Sequence, residues 1–289
     1  MLSYVHAFHA GGEADVLKHA LLSLLLSFLL QKEKPFCILD AHAGSGIYSL
    51  FDERAAKTNE AANGILRFLK NEKINTKLSE DEKNAILPYI SAVLPFIKNG
   101  EYPGTPAISS FFQRETDELH LAELHPRARQ ELKNASLRFQ KKPHIHEVDS
   151  WKFALFSTPP KIKRGLLLLD PSFEDKADWE KCAQTVEKVR KRWSSGIIFL
   201  WYPILPHKIQ ELSELKNRFF EAGGENAMDF WISSNEKRSF SEKAKMEGSG
   251  VLLSSAPFGF FEKAKILTEL VSKTFGDVSF GAKRVGEKA

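Results

Sequence analysis

The most constraining feature of this chain is a recurring unit: a short strand-like run that ends on a carboxylate, continuously apolar at Gly165–Leu169. Residues 36–40 end on Asp40, 119–124 carry Glu123 at their end, 144–148 stop at Asp149, and Gly165–Leu169 stops at Asp170. Between and after them lie segments with apolar residues at helical spacing, 127–139, Ala177–Arg192 and 208–222, and a further apolar run at 196–202. Runs apolar at every position belong to strands covered on both faces, and strands alternating with helices form a mostly parallel sheet. Weaker strand signals at 227–233 and 250–255 and a helix at 261–274 follow. The expected fold class is α/β, with helices on both faces of the sheet.

The segment before the first strand, 14–31, is a helix with a wide apolar face, and Pro35 ends it. Residues 52–101 break the alternation. Ser79 and Glu82 have capping-box spacing, Ile86, Ile90, Val93 and Ile97 continue with helical spacing, and Pro88 and Pro95 are expected to kink or break that helix. This predicts a small helical insertion. The sheet domain is then assembled from 1–51, with the first strand, and from 102–289, which opens on the tight turn Tyr102-Pro103-Gly104-Thr105-Pro106.

In an open parallel sheet, ligands bind beyond the carboxyl ends of the strands. Gly44 and Gly46 follow Asp40 and let the backbone approach a ligand. The third glycine of a dinucleotide fingerprint is replaced by Ser49, and no lysine stands at phosphate-loop spacing. The turn therefore suits a nucleoside without phosphates, against the alternative of a purely structural turn. Glu123 is placed to accept hydrogen bonds from ribose hydroxyls, although it lies far beyond the usual ~20-residue spacing because of the insertion. Asp149 is placed for an adenine amino edge, with ordinary turn chemistry as its other reading. At Asp170-Pro171-Ser172-Phe173 a carboxylate and a backbone carbonyl could accept both N–H bonds of an exocyclic amine, while an aromatic ring stacks on an extracted base.

Other classes are weakened by counts. Lys and Arg total 41 against 37 Asp and Glu, a net charge of +4, so any basic face must be assembled by folding. Clusters at 161–164 and 188–192 read as solvated surface or as phosphate contacts. The two cysteines, Cys37 and Cys182, have no neighbour at metal-ligand spacing and read as reduced thiols of a cytoplasmic protein. The apolar run at 20–30 is too short for the ~20 residues of a membrane span. Tyr4, His6, His9, Asp15 and His19 make no recognised metal-ligand pattern, so no metal is expected.

Met1-Leu2-Ser3-Tyr4, Phe8-His9-Ala10-Gly11 and Ala14-Asp15-Val16-Leu17-Lys18-His19 are similar to the N-terminal signature of the RlmJ family, bacterial 23S ribosomal RNA adenine N6-methyltransferases that use S-adenosylmethionine. The similarity continues, in family order, through Leu39–Gly46 as Leu-Asp-Ala-His-Ala-Gly-Ser-Gly, then Tyr102–Pro106, Glu123-Leu124-His125-Pro126, Asp170-Pro171, Leu200-Trp201-Tyr202-Pro203 and Ser249-Gly250. The resemblance implies a class I methyltransferase (Rossmann-like) fold. It implies a cofactor site of Lys18, His19, His42, Gly44, Thr105, Glu123, Asp149, Ser150 and Asp170. It implies catalysis by Asp170 with Pro171 and Phe173, and contact with substrate RNA by Tyr4 and His6. A monomer acting on large-subunit ribosomal RNA is expected. DNA remains an alternative substrate, since the family has also been labelled for use of external DNA. Departures are Ser172-Phe173 where the family has proline and tyrosine, Ser150 where it has glycine, and Thr105 where serine is usual. Ser172 relaxes the backbone that aims the Pro171 carbonyl and keeps open a non-catalytic nucleic-acid-binding role. A nicotinamide dehydrogenase is the rival on the same fold, disfavoured by Ser49, and a metal-dependent nuclease is the most distant alternative.

Overall fold

The computed structural model describes residues 9–51, 59–71, 77–235, 246–276 and 278–285. Its centre is an eight-stranded sheet. In chain order the strands are β1 (Cys37–Asp40), β4 (Glu118–Ala122), β5 (His144–His146), β6 (Gly165–Leu169), β7 (Ile197–Ile204), β8 (Ala227–Ser234), β9 (Gly248–Ser254) and β10 (Val278–Arg284), and a separate ribbon pairs β2 (Ile47–Ser49) with β3 (Glu101–Pro103). The spatial order is β10-β8-β9-β7-β6-β1-β4-β5. β5, β4, β1, β6 and β7 are mutually parallel, while β9 runs antiparallel to β7 and β8, and β10 antiparallel to β8. The chain moves outward from β1 through β4 to β5, then returns to place β6 and β7 on the other side of β1. That reversal opens a crevice at the carboxyl ends of β1, β4 and β6.

The apolar strands are explained by their two covers. Ile38, Leu166, Leu168 and Phe199 point to a core shared with α1 (Glu13–Leu30), α3 (Glu80–Ile97) and α9 (Phe260–Phe275). Their neighbours Leu39, Leu167, Leu169, Ile198 and Leu200 point to the opposite core, built with α6 (Ser150–Phe156), α7 (Ala177–Arg192) and α8 (Ile209–Gly223). Alternation of faces along each strand makes this division automatic. Among the described residues the other α-helices are the shorter α2 (Arg67–Lys70), α4 (Thr105–Phe112) and α5 (Pro126–Ser136).

Three expectations change. The helix carrying Pro88 and Pro95 runs through both prolines, from Glu80 to Ile97. Each proline removes one backbone donor, but burial of Ala85, Ile86, Tyr89, Ala92 and Val93 in the core shared with α1 holds the segment helical. Its capping box forms in full: Glu82 N donates to Ser79 Oγ at 3.2 Å and Ser79 N to Glu82 Oε2 at 2.9 Å. The expected turn at 102–106 is instead the end of β3 followed by α4, whose Pro106 sits in the first turn. β10 was not foreseen, because Val278–Arg284 is mostly half-buried and mixes glycine and charge with its apolar residues.

Candidate active site

A cavity of about 1500 Å³ lies over the crevice, lined by the ends of β1, β4, β5 and β6 together with α1. Carboxylates far outnumber lysines and arginines on its wall.

One wall is made by the first turns of α1. This helix is apolar nearly all round, yet Asp15, Lys18 and His19 are buried with it. They are tolerated because each is paired. Lys18 Nζ lies 2.9 Å from Asp15 Oδ1 and 2.6 Å from Asp170 Oδ2. Burial pulls the ammonium down, but the two carboxylates outweigh it and hold Lys18 above its ordinary range, so it stays charged. Asp15 Oδ2 also accepts from Gly11 N at 3.0 Å. His19 Nδ1 is 2.8 Å from the Tyr102 hydroxyl, which in turn meets that of Tyr89 at 3.1 Å. Asp170 thus presents one oxygen to Lys18 and keeps Oδ1 for the cavity.

The glycine turn leaves β1 at Asp40. The Asp40 carboxylate accepts from Thr105 Oγ1 at 2.5 Å and from His42 N at 3.0 Å. Burial dominates those bonds and pushes its pKa up to about 6. Asp170 N donates to His42 Nδ1 at 3.2 Å, which fixes the neutral ring with its proton on Nε2. Burial lowers the His42 pKa to about 4, so the ring is neutral at ordinary pH. Trp151 meets it edge-on, with ring centres 5.3 Å apart. Gly44 adopts φ +62°, and a Cβ there would sit 2.4 Å from the Tyr48 hydroxyl. Only glycine fits. Its N–H donates to Glu123 Oε2 at 3.0 Å, and His125 N donates to Oε1 at 2.7 Å. Burial still raises Glu123 above the usual carboxylate range. Each oxygen retains lone-pair capacity for a ligand hydroxyl. Asp149 caps α6 by accepting from Lys152 N at 3.0 Å, and Ser150 is the first residue of that helix.

The structure therefore brings Lys18, His19, His42, Gly44, Thr105, Glu123, Asp149, Ser150, Asp170 and Pro171 to one cavity. Thr105 lines it directly while its hydroxyl donates to Asp40, which is buried behind the wall. Phe173 is different. It has φ +55°, is 7% exposed and packs its ring 4.4 Å from that of Trp179, so it does not line the cavity. The left-handed turn carries the ring into the core built with α6, α7 and α8. In its place Trp201 lines the cavity, with Lys18 Nζ 5.7 Å from its ring centre. Stacking by Phe173 is thus not the geometry of this structure. Tyr4 and His6 lie outside the described residues. Sequence reasoning quoted Trp201 in a motif without giving it a role, and missed Tyr102 and the Asp15–Lys18 pair as site-builders. The (i, i+3) spacing of Asp15 and Lys18 within an apolar helix was the available signal.

A parallel sheet reversed at β1, an antiparallel strand inserted beyond β7, and an acidic cleft with a glycine turn define the class I methyltransferase fold. Comparison with known proteins makes this specific. The family model described as "Ribosomal RNA large subunit methyltransferase D, RlmJ" matches residues 33–286. The chain is 39% identical over 210 residues, 71% of each chain, to Ribosomal RNA large subunit methyltransferase J of Escherichia coli (strain K12). It is 31% identical over 278 residues, 95% of this chain and 94% of the relative, to the protein of that name from Haemophilus influenzae. The crystal structure of protein LPL1258 from Legionella pneumophila superposes with a TM-score of 0.83 at 28% identity, covering 96% of this chain and 99% of that one. The chain belongs to the RlmJ family and is a methyltransferase.

Proposed function

We propose that this methyltransferase uses S-adenosylmethionine to methylate N6 of an adenine in 23S ribosomal RNA. The observation that carries the reading is Asp170: its carboxylate ends β6 beside the nucleoside-sized turn, with Lys18 on Oδ2 and Oδ1 left over. The names of the relatives supply the class of RNA.

The residues present fit the cofactor. Gly44, where a Cβ would collide with the Tyr48 hydroxyl, keeps the turn in its left-handed form, Glu123 offers acceptors to ribose hydroxyls, and Asp149 has an oxygen beyond its helix cap for an adenine amine. The carboxylate-rich wall favours a cation over a phosphate. When bound, S-adenosylmethionine supplies a methyl group on a positively charged sulfur. The chain's own work is positioning. Asp170 Oδ1 and the Pro171 carbonyl accept the two N–H bonds of the adenine amine and turn its lone pair away from the ring. Lys18 holds the Asp170 carboxylate in place. His42 Nδ1 ties the Asp170 backbone to the glycine turn, so the acceptor and the cofactor cradle move together. Once the carbon–nitrogen bond has formed, the surplus proton on the nitrogen passes to solvent at the mouth of the cleft.

Asp170→Ala should lower transfer at least ~100-fold while S-adenosylmethionine binding changes by no more than a few-fold. Turnover within a few-fold of the unmodified protein would overturn the role given to Asp170.

A further inference from the structure

Another group of ligating side chains sits toward the opposite end of the sheet, unused by the cleft. Parallel pairing of β1 and β4 sets Cys37 opposite Glu118, and His120 follows on the same face. Pairing of β4 with β5 sets His144 opposite His120, with His146 next on that face. One ligand atom from each of Cys37, Glu118 and His120 lies within 4.8 Å of the others. His120 Nε2 is 3.5 Å from Glu118 Oε2, and His120 Nδ1 is 3.1 Å from His146 Nε2. Cys37 and Glu118 are 81 positions apart, so no spacing in the sequence announces this set.

We propose that Cys37, Glu118 and His120 form a three-ligand site for a borderline-soft divalent cation of the Zn²⁺ class, with water as fourth ligand and His146 holding the His120 ring. Bonds of ~2.0–2.3 Å put neighbouring donors of a tetrahedral site ~3.3–3.8 Å apart. The Glu118–His120 separation already falls there, and the thiol needs a shift of at most about 1 Å. Thiolate and imidazole donors select this class over Mg²⁺ or Ca²⁺. One thiolate and one carboxylate balance a charge of two. With the metal on Nε2, His120 turns its Nδ1–H to His146 Nε2, the outer-shell bond by which ligating histidines are oriented. Glu118 and His120 keep 32% and 23% of their side chains exposed, which gives the ion a path to the buried thiol. On binding, the Cys37 S–H bond breaks, its proton passes to solvent, and the sulfur pair forms the metal–sulfur bond. The ion stays divalent. The site lies three residues down β1 from Asp40, ~10 Å along the strand. It would tie β1 to β4, the strands whose far ends carry Asp40 and Glu123, without entering the cleft.

The test is Co²⁺ titration of the untagged full chain, read by absorption. The expected result is one equivalent bound, with a sulfur-to-cobalt charge-transfer band and the strong visible bands of four-coordinate cobalt. The band should vanish in Cys37→Ser and persist in Cys182→Ser. Because Cys37 is buried in a central strand, the partly exposed His120→Gln provides a second arm, with affinity expected to fall ~10-fold or more. Absence of the charge-transfer band at excess Co²⁺, its survival in Cys37→Ser, its loss in Cys182→Ser, or unchanged affinity in His120→Gln would each overturn the proposal.

Discussion

His42 links the acceptor strand to the glycine turn, and its titration gives a quantitative test of that geometry. The folded state holds the ring neutral down to about pH 4, against 6.5 for the free side chain. Between those values the unfolded chain binds a proton that the folded chain refuses, so stability rises with pH across the window. The contribution is complete above pH 6.5 and is lost as pH falls toward 4. A fully shielded ring would lose about 2.6 kcal/mol by pH 4.5; allowing for water at the cleft face, about 2 kcal/mol is expected. The raw curve conceals this. Asp40, raised to about 6 by burial, binds its proton more readily in the folded state, so it adds stability as pH falls over much of the same range. Comparison with His42→Asn removes that background. Asparagine keeps an acceptor near the position of Nδ1 and cannot titrate. Urea unfolding of both proteins at pH 7.5 and 4.5 should show the original protein losing about 2 kcal/mol relative to the variant. A difference constant to within ~0.5 kcal/mol between the two pH values would refute the burial and hydrogen bonding assigned to this ring.

Gly44→Ala places a Cβ 2.4 Å from the Tyr48 hydroxyl in a backbone with φ +62°. It should cost about 1–3 kcal/mol in chemical denaturation and weaken S-adenosylmethionine binding by calorimetry. Trp201→Leu should lower methyl transfer ~10-fold or more, since this ring lines the cavity, whereas Phe173→Leu should leave transfer within a few-fold and cost about 1 kcal/mol of stability. The opposite ranking in a rate assay would restore the stacking role to Phe173.

Much of the fold was legible because burial on both faces writes itself into the strands. Gly165–Leu169 and Ala177–Arg192 have the limits read from their apolar patterns. Where tertiary contacts outweigh local preference, the pattern misled. Two prolines in α3 are overruled by burial against α1, and β10 is held by pairing with β8 despite its mixed composition. The cleft was largely legible too, since its carboxylates sit at strand ends. What could not be read was direction. A short motif does not reveal that φ +55° at Phe173 turns its ring toward Trp179. Nor does it reveal that Lys18, 152 positions away, takes one oxygen of Asp170.

The central claim is tested most directly by methyl transfer from labelled S-adenosylmethionine to protein-free 23S ribosomal RNA from a strain lacking this methyltransferase, with mass spectrometry of the product nucleosides. The account predicts N6-methyladenosine at a single position, absent when Asp170→Ala replaces the original protein. A different methylated nucleoside, or no transfer by a protein that still binds the cofactor, would contradict it.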